Sequence, residues 1–154
     1  MQQAITFPFP PQPRVGLLID AENARASQMP QVMAHANTLG RITQRRAYGE
    51  WTGPQLQPWR KVLETHAIRP CQQFRHARNK NASDMVLIMD AMELLHQRAV
   101  DVFCIVSSDS DYAGLAGRMR EAGLSVCGFG QPGTLHAFVA ACDDFVFLEE
   151  ATAS

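Results

Sequence analysis

Residues 101–111 read Asp-Val-Phe-Cys-Ile-Val-Ser-Ser-Asp-Ser-Asp, an apolar run followed at once by hydroxyl and carboxylate side chains. The apolar run, residues 101–106, is the clearest β-strand that the sequence predicts. A helix is predicted over about 112–122, where Gly123 closes it, and another strand follows over 124–129. This unit of strand, polar loop, helix and strand indicates the architecture of the whole chain.

The same alternation of strands and helices runs through the rest of the sequence. Residues 15–19 predict a strand buried on both faces, which ends in Asp20. Residues 72–81 are polar and basic and predict a loop. Strands separated by helices indicate βαβ units, so we expect an α/β protein whose parallel sheet is covered on both sides. The remaining predicted strands are 41–48, 68–71 and 144–148, and the remaining predicted helices are 28–39, 54–66, 84–97 and 135–141.

Length and composition favour a single domain. The chain has 154 residues, and its proline-rich first 14 residues predict an extended tail. We expect the domain itself over 15–149 and a short C-terminal tail over 150–154. No apolar run approaches the roughly 20 residues of a membrane-spanning helix, and no secretory signal is predicted. The four cysteines are far apart in the sequence, so we expect reduced thiols in a cytoplasmic protein.

Charge is distributed unevenly along the chain. Residues 41–80 contain nine Lys or Arg and two Glu, whereas residues 81–154 contain three Arg and eleven Asp or Glu. A basic segment can attract a polyanion while an acidic segment concentrates carboxylates. Both segments would be used by an anionic ligand that reacts at a cation bound to carboxylates. Equally, the basic charges could be spread over solvated faces.

Three polar segments stand where ligands of a parallel sheet bind. Residues 20–23 (Asp-Ala-Glu-Asn) follow the first strand, residues 107–111 follow a later strand, and residues 81–84 (Asn-Ala-Ser-Asp) open a helix. Ligands of such sheets bind at the carboxyl ends of the strands. If the two strands are neighbours, their ends lie within roughly 5–10 Å of each other, and Asp84 could point into the same space.

Several carboxylates at one edge repel one another unless a cation binds between them. Oxygen ligands suit Mg²⁺ or Mn²⁺, and no His or Cys completes a zinc-like set nearby, since the five histidines show no ligand spacing. Such a cation can activate water and bridge a phosphate oxygen, which favours hydrolysis of a phosphodiester. The alternative is that these residues are ordinary helix caps and turn formers, as expected for Ser83, Ser108 and Ser110.

The polar segments also resemble a known family. Residues 15–23 (Val-Gly-Leu-Leu-Ile-Asp-Ala-Glu-Asn) resemble the opening motif of NYN domains, a PIN-like nuclease group that includes the LabA-like proteins. Residues 81–84, with Asp90 further on, resemble the second acidic motif of that family, and residues 106–112 (Val-Ser-Ser-Asp-Ser-Asp-Tyr) are similar to its third motif. The resemblance covers residues 14–149.

The resemblance implies a Rossmann-like three-layer sandwich with a mostly parallel central sheet and an acidic pocket that binds Mg²⁺ or Mn²⁺. It further implies a ribonuclease, a hydrolase that cleaves RNA phosphodiester bonds with a metal-activated water. The catalytic and metal-binding residues carried over by position are Asp20, Asp84, Asp109 and Asp111. The residues implied to orient water or contact phosphate are Asn23, Ser107 and Ser108.

Substrate RNA would be held through its phosphates by basic residues. Trp51 or Tyr48 could stack on a base of single-stranded RNA, although a partly exposed loop position is the plainer interpretation of Trp51, and Tyr112 is expected to pack on the sheet. PIN-like domains often pair, which leaves a homodimer open. The candidate phosphate contacts are Arg45, Arg46, Arg75, Arg78 and Lys80.

Two other functions remain open from the sequence. The acidic pocket could belong to a non-catalytic regulatory module that binds RNA or another protein. Alternatively, Asp20 could be the nucleophile of a phosphohydrolase acting on a small phosphoester. Such enzymes usually have a second Asp two residues after the first, whereas this chain has Glu22 there, which disfavours that alternative.

Overall fold

The computed structural model describes residues 11–73 and 85–149 and contains a six-stranded parallel sheet with helices on both faces. The strands are β1 (Arg14–Asp20), β2 (Arg41–Gly49), β3 (Arg69–Gln72), β4 (Val102–Val106), β5 (Ser125–Gly130) and β6 (Asp144–Phe147). The helices are α1 (Met29–Leu39), α2 (Trp59–Thr65), α3 (Met85–His96), α4 (Ala113–Glu121) and α5 (His136–Ala141).

The order of strands across the sheet is β3-β2-β1-β4-β5-β6. The chain therefore builds the sheet outward from β1 to β3, returns to the centre, and builds the other half from β4 to β6. Ile19 of β1 pairs with Val106 of β4, so the carboxyl ends of these two strands lie side by side. This reversal of strand order opens a crevice outside the strand ends, where ligands of open α/β sheets bind.

The central strands are apolar along their whole length because both of their faces are covered. Leu17 and Ile19 pack in one cluster with Val32 of α1, whereas Leu18, which points to the opposite face, packs in a second cluster. The first cluster also includes Trp59 of α2. Residues of α3, α4 and α5 cover the second face, and they include Leu87, Met119 and Phe138. The predicted three-layer α/β architecture is confirmed.

Some predicted boundaries differ from the observed ones. The segment 54–66 is not one helix, because Pro54–Leu56 forms a separate 3₁₀ turn and α2 begins only at Trp59, directly after Pro58. β1 begins at Arg14, one residue inside the predicted tail, and Gly123 follows α4 with φ +89°, as expected of a closing glycine. Residues 1–10, 74–84 and 150–154 lie outside the described residues, and they include most of the predicted loop and tails.

Within the described part of the chain, no helix is both long enough and apolar enough to cross a membrane.

Candidate active site

Asp20 is the last residue of β1 and lies at the point where the order of strands across the sheet reverses. Its side chain is completely buried. Asn23 Nδ2 donates a hydrogen bond of 2.9 Å to Asp20 Oδ2, and the Ser107 hydroxyl donates a second one of 2.8 Å to the same oxygen. The other carboxylate oxygen, Oδ1, is buried, and no group within residues 11–73 and 85–149 meets it with hydrogen-bond geometry. A buried carboxylate with one unused oxygen is a ready acceptor for a cation or a donor group.

The loop after β4 is folded around the same carboxylate. Ser107 Oγ accepts a hydrogen bond of 3.0 Å from the backbone N–H of Asp109. Asp109 Oδ1 in turn accepts one of 3.0 Å from the backbone N–H of Asp111, which is the local turn that aspartate side chains favour. The Ser108 N–H donates to the Asn23 carbonyl at 3.3 Å, so the loops after β1 and β4 are joined directly. Asp20, Asn23, Ser107 and Asp109 are thus brought together.

Ser108 connects this loop to the next strand. Its hydroxyl oxygen accepts a hydrogen bond of 3.0 Å from the backbone N–H of Gln131, the residue after β5. The side-chain amide of Gln131 exchanges hydrogen bonds with that of Gln28, which is itself buried. The N-cap role expected for Ser108 is replaced by this link between the loops after β4 and β5.

The electrostatic environment of Asp20 disfavours its charged form. Burial away from water is the main cause that raises the pKa of Asp20, and the nearby Asp109 carboxylate raises it further. The hydrogen bonds from Asn23 and Ser107 act in the opposite direction. Among the described residues, no Lys or Arg forms an ion pair with Asp20, Asp109 or Asp111. A cation beside these carboxylates would therefore relieve an uncompensated charge.

The carboxylates do not form a tight ligand cage. Within residues 11–73 and 85–149, the oxygens of Asp20, Asp109 and Asp111 do not all lie within 4.8 Å of one another. Asp111 is exposed, whereas Asp109 is half-buried. These three carboxylates therefore cannot all bind one ion directly without side-chain movement, and water would complete the shell of a cation such as Mg²⁺. Asp84, the fourth predicted member of the pocket, lies outside the described residues.

Comparison with known proteins identifies the family. The profile of the NYN domain matches residues 14–149, which is most of the chain. This chain belongs to the NYN domain family. That family is a PIN-like nuclease family, so the resemblance predicted from the three motifs is confirmed.

One solved structure is similar to this NYN domain over nearly its whole length. It is the crystal structure of a protein of unknown function from Vibrio parahaemolyticus, with a TM-score of 0.70 and 18% sequence identity. The match covers 90% of this chain and 97% of the other chain. At this identity the likeness establishes the shared fold. No curated protein matches the chain.

The predicted phosphate contacts of β2 have partners within the NYN domain. Arg45 donates a hydrogen bond of 2.9 Å to the backbone carbonyl of His66. Arg46 forms an ion pair of 3.2 Å with Asp90 of α3, which lies six residues after Asp84 of the second family motif. Because neighbouring residues of a strand point to opposite faces, the two side chains leave the strand in opposite directions. Arg75, Arg78 and Lys80 lie outside the described residues.

The two aromatic residues that were candidates for base stacking also form hydrogen bonds within the domain. Tyr48 pairs with Asp20 in the sheet, but its ring is completely buried and its hydroxyl donates a hydrogen bond of 2.7 Å to Asp90. The predicted stacking role for Tyr48 is therefore wrong, because its ring packs inside the second hydrophobic cluster and cannot reach a base. Trp51 is half-buried, and its indole N–H donates to the Cys71 carbonyl at 2.9 Å. Tyr112 is buried against the sheet, as expected.

One polar residue near this edge was not anticipated from the sequence. Gln73 follows β3 and is buried, yet neither of its side-chain amide atoms has a hydrogen-bond partner in the part of the chain that the structure describes. Its backbone N–H donates to the Gly49 carbonyl at 2.9 Å, which extends the pairing of β3 with β2. Nothing in a polar stretch such as 72–81 distinguishes a buried glutamine from a solvated one, so no sequence signal could have found it.

The raised pKa of Asp20 makes a prediction about pH. A carboxyl whose pKa is higher in the folded than in the unfolded protein binds its proton more tightly when folded. In the metal-free protein, its stabilising contribution is therefore complete below the ordinary pKa of 3.8 and is lost as pH rises through the raised value. We expect the free energy of unfolding of wild type, minus that of Asp20→Asn, to fall over this pH range.

Urea unfolding of both proteins in EDTA at a series of pH values measures this difference. Subtracting the variant removes the contributions of other carboxylates, such as Asp101, whose pKa is lowered by its hydrogen bonds with Arg14. A difference that stays flat or rises with pH would contradict the prediction.

Proposed function

We propose that this NYN domain is a metal-dependent ribonuclease, with its active site at the carboxyl ends of β1 and β4. The observation that carries the proposal is Asp20, which is completely buried, has no cationic partner among the described residues and keeps Oδ1 unused. Burying a charge without a partner is unfavourable, and such groups cluster at functional sites. The nuclease membership of the family supports RNA cleavage as the function.

The residues present suit a hard divalent cation. Asp20, Asp109 and Asp111 supply carboxylate oxygens, and Asp84 is proposed as a further ligand from the family motif. When bound, Mg²⁺ or Mn²⁺ would make water a better nucleophile at neutral pH and offset negative charge on the phosphate.

The neighbours of Asp20 are proposed to position it. Asn23 and Ser107 both donate to Oδ2, which leaves Oδ1 directed away from them for the cation. The Ser107 hydroxyl donates its only proton to Asp20 and also accepts from the Asp109 N–H, so Ser107 acts as a positioning residue. Ser108 accepts from Gln131 and retains its own hydroxyl proton, which it can donate to a phosphate oxygen.

The proposed route of the RNA follows the same edge of the sheet. β3 ends at Gln72 beside β2, so the segment that contains Arg75, Arg78 and Lys80 starts at the carboxyl edge. These three cations are the preferred phosphate contacts. Arg45 and Arg46 are weaker candidates, because each is already held by a partner within the domain.

Cleavage assays with an Asp109→Asn variant test the proposal. Single-stranded RNA, structured RNA and single-stranded DNA of matched sequence are incubated with the full chain in Mn²⁺, Mg²⁺ or EDTA. We expect wild type to cleave RNA only with metal, and Asp109→Asn to be at least about 100-fold slower. Asp101→Asn is the matched control, because Asp101 lies just before β4, at the opposite edge of the sheet.

Binding of the same RNA in EDTA separates an enzyme from a binding module. A nuclease loses cleavage in Asp109→Asn while RNA binding persists. If wild type binds RNA but leaves it intact in both metals, the regulatory-module alternative is correct and the ribonuclease proposal is wrong.

A further inference from the structure

A second group of ligating side chains lies on the α1 face of the sheet, apart from the acidic pocket. His35 comes from α1, Cys127 from β5 and Asp144 from β6. One ligand atom of each residue lies within 4.8 Å of the others, and His35 Nε2 is 3.9 Å from Asp144 Oδ2. Cys127 and Asp144 are direct partners in the pairing of β5 with β6, which holds two of the three in register.

We propose that His35, Cys127 and Asp144 form a binding site for a transition-metal cation, with Zn²⁺ as the best fit to the donors. An imidazole nitrogen, a thiolate sulfur and a carboxylate oxygen are all zinc ligands, whereas Mg²⁺ and Ca²⁺ avoid nitrogen and sulfur. Zinc bonds of about 2.0–2.3 Å in a tetrahedron place ligand atoms roughly 3.5 Å apart. The observed spacing therefore needs only small side-chain movements to close around an ion.

Two of the three side chains, those of His35 and Cys127, are held in place before any ion binds. His35 Nε2 is buried and makes no hydrogen bond, and the imidazole meets the Phe129 ring edge-on at a centroid distance of 5.5 Å. The Cys127 thiol is buried and donates a long hydrogen bond of 3.9 Å to the Gly128 carbonyl. The Asp144 side chain is 67% exposed, so an ion can enter from solvent on that side.

An ordinary ion pair explains the cluster less completely. A protonated His35 facing Asp144 would account for two of the three groups, but it does not involve the Cys127 thiol, which packs in the core and makes only a long hydrogen bond to the Gly128 carbonyl. The unused imidazole nitrogen is more economically explained as a ligand position, since a buried polar atom is rarely left without a partner. This cluster shares no residue with the pocket around Asp20, so the two sites are independent.

The structural consequence of zinc at this cluster would be stabilisation of the sheet edge. β6 has four residues and is the last strand of the sheet, so it is paired on one side only. An ion held by all three residues would tie this strand to β5 and to α1. Because such binding favours the folded state, zinc should raise the melting temperature and protect the amides of β6 from hydrogen exchange.

Titration of the metal-free full chain with Co²⁺ and Zn²⁺ tests the proposal. Co²⁺ bound to a thiolate absorbs in the near ultraviolet, and Zn²⁺ should displace it at one equivalent. Asp144→Asn, a surface change that spares the core, should weaken Zn²⁺ binding at least about tenfold, and Cys127→Ser should abolish the thiolate absorption. Cys71→Ser and Asp101→Asn are the matched controls and should bind as wild type does.

Three outcomes would overturn the proposal. The first is the absence of thiolate absorption with Co²⁺ in wild type. The second is unchanged Zn²⁺ affinity in both Asp144→Asn and Cys127→Ser. The third is equal loss of Zn²⁺ binding in Asp20→Asn, which would place the ion in the acidic pocket instead.

Discussion

Asp20→Asn is expected to slow metal-dependent RNA cleavage at least about 1,000-fold while the protein stays folded. The substitution keeps the size of the side chain but removes the negative charge. It also places an NH₂ group at one of the two oxygen positions. The NH₂ group takes the place either of Oδ2, where it meets the donors of Asn23 and Ser107, or of Oδ1, where the cation is proposed to bind. In either orientation, the site loses its buried anionic ligand.

Cleavage rates, Mn²⁺ binding and stability should be measured on the same preparations. Mn²⁺ binding is followed by the loss of the electron paramagnetic resonance signal of the free ion. In EDTA at neutral pH we expect Asp20→Asn to be at least as stable as wild type, by up to about 1–2 kcal/mol, because a buried charge has been removed. Asp101→Asn again controls for loss of a carboxylate elsewhere. Full cleavage by the Asp20→Asn protein would exclude Asp20 from the mechanism.

Gly128→Ala is expected to lower the free energy of unfolding by about 2–3 kcal/mol. Gly128 lies in β5 beneath the side chains that follow α5. An added Cβ would be 2.5 Å from Phe145 Cδ2 and 2.9 Å from Cys142 Sγ. Phe145 cannot easily move away, because its ring packs edge-on against Phe138 at a centroid distance of 5.3 Å. The methyl group therefore forces a shift within a close-packed layer.

Gly117→Ala provides a matched control with the opposite expected sign. Gly117 lies within α4, and an added Cβ would meet no atom within 4 Å. Alanine is the better helix former, so this variant should gain about 0.5–1 kcal/mol. Urea unfolding followed by circular dichroism measures both variants. Equal effects of the two substitutions would show that local backbone preference, rather than packing under Phe145, determines the role of Gly128.

The fold was predictable from the sequence to a large extent because its signals are local. The apolar runs at 15–19 and 101–106 indicate strands covered on both faces, and each falls within an observed strand or one residue of it. The main local error was the segment 54–66, which was predicted as one helix although α2 begins only after Pro58. A proline near a helix start fits either boundary, so the pattern alone did not decide between them.

The candidate site was predictable only in part. A carboxylate directly after a buried strand must stand at the carboxyl edge of a parallel sheet, which places Asp20 and Asp109 without further information. The partners of other polar residues were not predictable. Arg46 and Tyr48 looked available to RNA, but both contact Asp90 across the space between β2 and α3. The spacing of the histidines in the sequence likewise gave no indication of a metal site at His35, because His35 lies near Cys127 and Asp144 only in the folded chain.

Local sequence patterns were sufficient to locate the strands and most of the helices, and to place Asp20 and Asp109 at the ligand-binding edge. These features depend on apolar periodicity and backbone preferences within a few residues of each position. That β4 lies beside β1, so that the Ser107 hydroxyl donates to Asp20 Oδ2 while Asp20 Oδ1 stays without a partner among the described residues, follows from the folded structure alone. Strand order and side-chain partners depend on packing between residues far apart in the chain, which no local pattern records.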